Sequence, residues 1–246
     1  MQAANRSLGI LQAGRAPEEM SDTFQDYNQL FIDLLGEKSF DYRHWPVLDG
    51  VFPDSIHAAD AWLITGSRHG VYENHDWIAP LEQFVRDSFA AQIPMVGICF
   101  GHQLIAQALG GRVEKFSGGW SVGRVEYDLD EQVFGAPVLL QEDGAKDSKT
   151  ALIAYHQDQV IEPPASARTV GSTNFCKHAA LVYGDDILTI QPHPEFDRYF
   201  VDGLLATRGA TLPEQILTHA KESLHCPLER ENVANTLRRF LERTIT

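Results

Sequence analysis

"MVGICFGHQLIAQALGG", residues 95–111, is the stretch on which the fold turns. It closes an apolar run, IPMVGIC (93–99), and opens a segment in which Leu104, Ile105, Ala108 and Leu109 share one helical face. Gly110-Gly111 supplies a C-terminal stop. A strand therefore runs straight into a helix, and Gly97-Ile98-Cys99-Phe100-Gly101 at the junction fits G-x-C-x-G. This is the cysteine form of the strand-to-helix nucleophile elbow. Small residues on both sides let strand and helix approach closely while the central residue adopts a strained conformation. Cys99 would then sit at a helix N-terminus, where the dipole and free amides favour a thiolate. The Phe100 amide would point at the same place and can hold an oxyanion. An unpaired cysteine is also commonly a small buried hydrophobe. The pentapeptide alone fits both readings.

Working outward, apolar runs and helical patterns alternate on the N-terminal side. SLGILQAG (7–14) reads as a buried strand, and FDYRHWPV (40–47) and AWLITGS (61–67) as the next two. SDTFQDYNQLFIDLLG (21–36) reads as a helix capped by Ser21 and ended by Gly36. DWIAPLEQFVRDSFAAQ (76–92) reads as another, with Pro80 near its first turn. The expected fold class is α/β, a mostly parallel central sheet flanked by helices.

Beyond residue 112 the elements become short and β-rich: RVEKF, GRVEYDL, TALIAYHQDQVI, ARTVGSTN, AALVYG and ILTIQPH. These are extra strands that partly extend the sheet. EDGAKDSKT (142–150) reads as a polar surface loop. Helices over YFVDGLLATRG, PEQILTHAKESL and RENVANTLRRFLERT close the chain. With no linker or repeat, the expectation is a single domain over 1–246, with a core at about 7–196 and a helical segment at 197–246.

The 34 acidic residues outnumber the 20 basic ones, giving a net charge of −14. That argues against a nucleic-acid surface. Three cysteines without a CxxC pair make a disulfide framework unexpected and favour a reducing compartment. The apolar run LGIL is too short for a signal peptide, and no stretch approaches the roughly 18–20 residues that span a bilayer. The expectation is a soluble, cytoplasmic protein with no membrane partner. Neither a metal nor a cofactor is expected.

A cysteine nucleophile needs a base. Among ten histidines, His193 has the supporting context, in ILTIQPHPEF (187–196). An apolar strand ends there in Pro192-His193-Pro194-Glu195. Residues two apart in extended chain project to one side, so Glu195 can accept a hydrogen bond from the His193 imidazole. Such a carboxylate fixes the tautomer and stabilises imidazolium. The flanking prolines stop further strand pairing and stiffen the segment.

GICFGHQ (97–103) and QPHPEF (191–196), in that order and about ninety positions apart, resemble the class I, triad-type glutamine amidotransferases. The resemblance implies a flavodoxin-like three-layer sandwich. It implies Cys99 as nucleophile, His193 as general base and Glu195 as its orienter. It also implies a γ-glutamyl thioester released by water. LITGSRHGVYE (63–73) ends a strand in Gly66-Ser67, where the family places the loop that completes the oxyanion hole with the Phe100 amide. Gln103 matches the substrate-binding glutamine of C-x-G-x-Q. AYHQDQV (154–160) is similar to the family's H-x-D segment at the rim of the glutamine pocket, making His156 and Asp158 substrate-binding positions on one strand face. Arg68, His69, Tyr72 and Glu73 are candidates for the pocket mouth, and Trp120 reads as a packing residue.

The likeness covers residues 60 to about 196. The roughly fifty residues after Phe196 are too few for a synthetase domain, and no G-x-x-x-x-G-K-[ST] phosphate loop is present. Three functions stay open. One is a glutaminase subunit feeding ammonia to a separate synthetase subunit. Another is a stand-alone hydrolase of γ-glutamyl small molecules, similar to γ-glutamyl peptidases and to GMP-synthase-like glutaminase domains. The third is a regulatory, non-catalytic module on the same fold.

Overall fold

The computed structural model describes residues 5–135 and 149–243. Most of the expected polar loop, residues 142–148, lies outside the described residues. Its last two residues, Lys149 and Thr150, begin a strand instead.

The first half alternates strand and helix as its apolar runs require. β1 (Ser7–Leu11), β2 (Asp41–Trp45), β3 (Ala61–Ile64) and β4 (Met95–Ile98) run parallel. The helices α1 (Tyr27–Leu35), α2 (Ile78–Ala90) and α3 (Phe100–Ala108) connect them or follow them. The second half contributes β5 (Arg112–Lys115), β6 (Ser121–Leu129), a short α4 (Glu131–Phe134), β7 (Lys149–His156), β8 (Asp158–Glu162), β9 (Ala167–Ser172), β10 (Ala180–Tyr183) and β11 (Ile187–Ile190). Then come α5 (Arg198–Arg208), α6 (Glu214–Ser223) and α7 (Arg230–Leu241).

Among the described residues nine strands form one sheet in the order β2-β1-β3-β4-β11-β10-β9-β6-β7, and β5 pairs with β8 separately. β11 joins β4 in parallel, whereas β10, β9, β6 and β7 extend the sheet antiparallel. The five parallel strands carry helices on both faces. Trp62, Ile64 and Met95 face Leu81, Phe84 and Leu104 of α2 and α3. Ala61, Leu63, Val96 and Ile98 face Phe31 of α1 and Leu237 of α7. Cover on both faces explains why β3, β4 and β11 are buried throughout rather than alternating. β2 lies at the edge, is half exposed, and ends at Pro46, which cannot extend the ladder.

Two boundaries differ from the expected ones. α1 starts at Tyr27 and is capped by Asp26, not Ser21. The Asp26 carboxylate accepts from the Tyr27 and Ala16 amides and from Gln12 Nε2, three donors that Ser21 cannot reach. Ser21 instead closes a 3-10 turn on the Glu18 carbonyl. The second difference is in TALIAYHQDQVI, which is two strands: the chain bends at Gln157, so β7 joins the large sheet and β8 the small one. Gly36 ends α1 with φ at +91°, as expected. Among the described residues no helix is long and apolar enough to cross a membrane.

Trp62 is fully buried, and its indole donates to the Ile56 carbonyl. Its ring lies directly over Gly9, where any Cβ would stand 2.1 Å from Cζ3. Gly9→Ala should therefore overpack the sheet–helix core and cost about 1–3 kcal/mol. At roughly 2–4 °C per kcal/mol for a chain of this size, thermal unfolding should start several degrees lower. An unchanged Tm would mean that Trp62 is free to move.

Candidate active site

β4 and β11 are neighbours in register, Ile98 opposite Ile190, and the Cys99 amide donates to the Ile190 carbonyl at 2.9 Å. The chain then breaks from β4 into α3 at Cys99, which has φ +51° and ψ −99°. Among the described residues only Gln92 is another non-glycine with positive φ. Such a conformation is rare for a residue with a Cβ and marks a constrained turn. The flanking glycines permit it. A Cβ on Gly97 would meet the Gly101 carbonyl at 2.6 Å, and one on Gly101 the Ile64 carbonyl at 2.4 Å. Cys99 is 5% exposed and caps the N-terminus of α3, where the first amides, Phe100 among them, have no partner within the helix.

Past β11 the chain brings His193 back across this turn. The His193 amide donates to the Ile153 carbonyl of β7, and its Nδ1 lies 2.7 Å from Glu195 Oε1. The ring stacks on Phe196, 4.2 Å away and 3° from parallel. Both His193 and Glu195 are buried. Burial opposes the imidazolium, but the Glu195 carboxylate and then Cys99 outweigh it and hold the imidazole pKa above its ordinary value. The expected pair two residues apart is therefore hydrogen-bonded, and Cys99 is the imidazole's other polar neighbour. Gly66 lies against both: a Cβ there would be 2.9 Å from His193 Cε1 and 3.8 Å from Cys99 Cβ.

Cys99, His193, Ser67, Gln103, His156 and Asp158 all border one cavity of about 320 Å³. Glu195 stands behind His193. Gln103 is buried, and its amide donates to the Asp158 carbonyl and to Gln191 Oε1. Gln191 Nε2 in turn donates to Cys99 Sγ at 3.5 Å. His156 and Asp158 do not share a strand face, because the bend at Gln157 separates them. His156 Nδ1 donates to the Asp158 backbone carbonyl at 3.2 Å, and its Nε2 has no partner among the described residues. Burial, reinforced by His193, pushes the His156 pKa down to about 4, so the ring is neutral and Nε2 offers a lone pair. The Asp158 carboxylate accepts from Tyr72 Oη, and burial raises its pKa.

Cys176 is buried, and burial drives its thiol up to about 12, far from a thiolate. Cys226 is exposed. His102, inside the GICFGHQ stretch, is a core residue bonded to Thr189 Oγ1.

Residues 51–199 match the family described as "Glutamine amidotransferase class-I". The chain belongs to this family. It is 26% identical over 223 residues to γ-glutamyl peptidase 2 of Arabidopsis thaliana, spanning 89% of this chain and 88% of that protein. It is 32% identical over 138 residues to a glutamine-hydrolyzing GMP synthase subunit of Sulfolobus acidocaldarius, 55% of this chain and 67% of that one. Its fold matches a crystal structure of a glutamine amidotransferase from Thermotoga maritima with TM-score 0.71 and 18% identity, covering 98% and 100% of the two chains.

Several residues around this cavity were not evident from the sequence. Gln191 was legible in principle, since it precedes His193 by two in extended chain. Arg208 and Leu204 of α5 border the cavity, and no local pattern announces them. Trp120 borders it as well, packed edge-on against Tyr155. Arg68, His69, Tyr72 and Glu73, by contrast, were candidates for the pocket mouth from the sequence, and all four reach the cavity wall. Arg230 at the start of α7 donates from Nε to the Pro194 carbonyl at 2.7 Å and from Nη2 to the Glu195 carbonyl at 2.9 Å.

The raised His193 pKa has a consequence for stability. A group whose pKa rises on folding contributes stability that is complete below its unfolded value of 6.5 and is lost as pH climbs through the folded value. Glu195→Gln removes the main cause. The difference in unfolding free energy between wild type and Glu195→Gln should therefore shrink as pH rises from about 6 toward 10. Denaturant titrations across that range measure it, and a flat difference would contradict a charged buried imidazole.

Proposed function

We propose that the protein hydrolyses the γ-glutamyl amide bond of glutamine or of a γ-glutamyl compound through Cys99, His193 and Glu195. The observation that carries this reading is the Glu195–His193–Cys99 line of contacts ending on a strained cysteine at a helix N-terminus. Family membership supports it, since the site residues fall on the family's motifs.

The proton shared by Cys99 and His193 rests on the imidazole, where Glu195 holds the imidazolium. The Cys99 sulfur attacks the γ-carbonyl carbon. The negative oxygen of the tetrahedral intermediate is met by the Phe100 amide and by a backbone amide of the Gly66–Ser67 loop. His193 returns the proton to the departing nitrogen, leaving a γ-glutamyl thioester. Water, deprotonated by His193, attacks that thioester and releases glutamate and the free thiol. Gln103 acts by fixing Asp158 and Gln191 around the substrate. The neutral His156 accepts a substrate hydrogen bond at Nε2.

The cavity wall favours a substrate larger than glutamine. The glutamyl end carries one ammonium and one carboxylate, for which Asp158 and a single cation suffice. Arg68, Lys115 and Arg208 all border the cavity, beside Trp120, Tyr72 and Tyr155. The surplus cations and rings suit a leaving group with its own carboxylate and apolar surface, as in a γ-glutamyl peptide. Likeness to the Arabidopsis γ-glutamyl peptidase supports the same choice. The second reading, an ammonia-supplying partner for a synthetase, draws on the likeness to the Sulfolobus GMP synthase subunit.

Incubating the protein alone with glutamine and a panel of γ-glutamyl dipeptides separates the two. Release of glutamate from dipeptides at higher kcat/KM than from glutamine is expected. Negligible turnover that rises on adding a synthetase would favour the ammonia-supplying role. Cys99→Ala should abolish turnover and keep the fold, and retained activity would sink the mechanism. Glu195→Gln should retain roughly ten- to a hundredfold more activity than His193→Ala, because orientation is lost while the base remains.

Arg230 is a positioning residue. Arg230→Met should lower kcat by roughly 10- to 100-fold with KM little changed, because the His193–Glu195 turn loosens. A change mainly in KM would place its role in the cavity instead.

A further inference from the structure

The loop between β3 and α2 brings three metal-ligating side chains to one point. His69 Nδ1 lies 3.0 Å from Glu73 Oε2, and His75 Nε2 lies 2.8 Å from the same oxygen. All three ligand atoms fall within 4.8 Å of one another. Zinc bonds of about 2.0–2.2 Å to nitrogen and oxygen separate neighbouring tetrahedral ligands by roughly 3.3–3.5 Å. An ion can enter if the side chains close around it by about an ångström.

The surroundings resemble the outer shell of a metal site. Glu73 Oε1 accepts from the Gly70 amide at 3.0 Å, which orients the carboxylate and leaves Oε2 toward the histidines. Trp77 lies stacked on His75, 6.0 Å between centroids and 18° from parallel, and meets His69 edge-on at 6.1 Å. The imidazoles are thus held by packing while their side chains stay partly open, 23% for His69 and 34% for His75.

We propose that His69 Nδ1, Glu73 Oε2 and His75 Nε2 form a binding site for one divalent transition-metal ion of the zinc type, with water completing the coordination. Two imidazoles and one carboxylate select zinc and its first-row neighbours over magnesium or calcium, which take oxygen ligands. Three protein ligands leave a fourth position open, unlike closed structural zinc sites. The ion would bind the rim of the substrate cavity, because His69, Glu73, Arg68 and Tyr72 of this loop border it. Trp77 extends the contact to Phe100 at the elbow, ring to ring at 5.4 Å.

The test must separate this loop from the Cys99–His193 pair, which can itself take a metal. Metal-stripped full-length protein carrying Cys99→Ala is titrated with zinc by calorimetry and with cobalt by visible absorption. One ion per chain is expected, with cobalt bands of nitrogen and oxygen ligation and no thiolate charge-transfer band. His75→Gln and Glu73→Gln in the same background should each weaken binding at least about tenfold. Their thermal unfolding without metal should match the parent, and zinc should raise the Tm of the parent alone. In the parent, paramagnetic cobalt should also shift the His69 and His75 imidazole resonances, a readout that requires no loop variant. No uptake at micromolar free zinc, equal affinity in both variants, or shifts confined to other histidines would overturn the assignment.

Discussion

The parallel pairing of β4 with β11 is the constraint on which the site rests. These strands are far apart in sequence, yet Ile98 stands opposite Ile190, and the Cys99 amide closes the ladder on the Ile190 carbonyl. Both strands end at the same level, so the residues just beyond them face each other across one edge. A slip of one residue would turn every side chain of a strand to the opposite face. Apolar packing on both faces prevents it: Val96, Ile98, Leu188 and Ile190 are buried toward α1 and α7, and Met95 and Ile187 toward α2 and α3.

The elbow stores strain that this packing offsets. Holding a cysteine at φ +51° costs on the order of 1–3 kcal/mol. Relaxing it would swing α3 away from Ile64, against which Gly101 rests without space for a methyl group. Gly14 fits against the Gly66–Ser67 turn in the same way, its missing Cβ falling 2.6 Å from the Gly66 carbonyl. Three loop ends are thereby held close around Cys99 by backbone contact, a geometry that side chains would prop open.

The C-terminal helices are part of the site's support. Glu229 pairs with Ala151 of β7 through both its amide and its carboxylate. Ile153 of the same strand accepts from the His193 amide, and Arg230 grips the Pro194 and Glu195 carbonyls. β7 and the start of α7 thus clamp the His193–Glu195 turn from two directions, while α5 walls the cavity with Leu204 and Arg208. A segment whose role was not evident in the sequence both holds the Glu195 backbone and walls the cavity.

What the sequence determined by itself was local. Apolar runs of four, helical spacing and G-x-C-x-G marked β3, β4, α2 and α3 and the turn at Cys99, because each is set by contacts within a few residues. His193 and Glu195 were legible as a pair for the same reason, two residues apart in extended chain. Gly66, Gln103, His156 and Asp158 were recognised through family likeness rather than through any local rule. Tertiary structure alone decided what depends on distant chain. The cap of α1 passed to Asp26 because Ala16 and Gln12 come within its reach. The run TALIAYHQDQVI divided because two sheets claim its halves, and the bend leaves His156 ending one strand and Asp158 opening the next. Arg208 and Arg230 share that origin. Their partners or common cavity are assembled by packing, and no periodicity along the chain records where separated side chains converge.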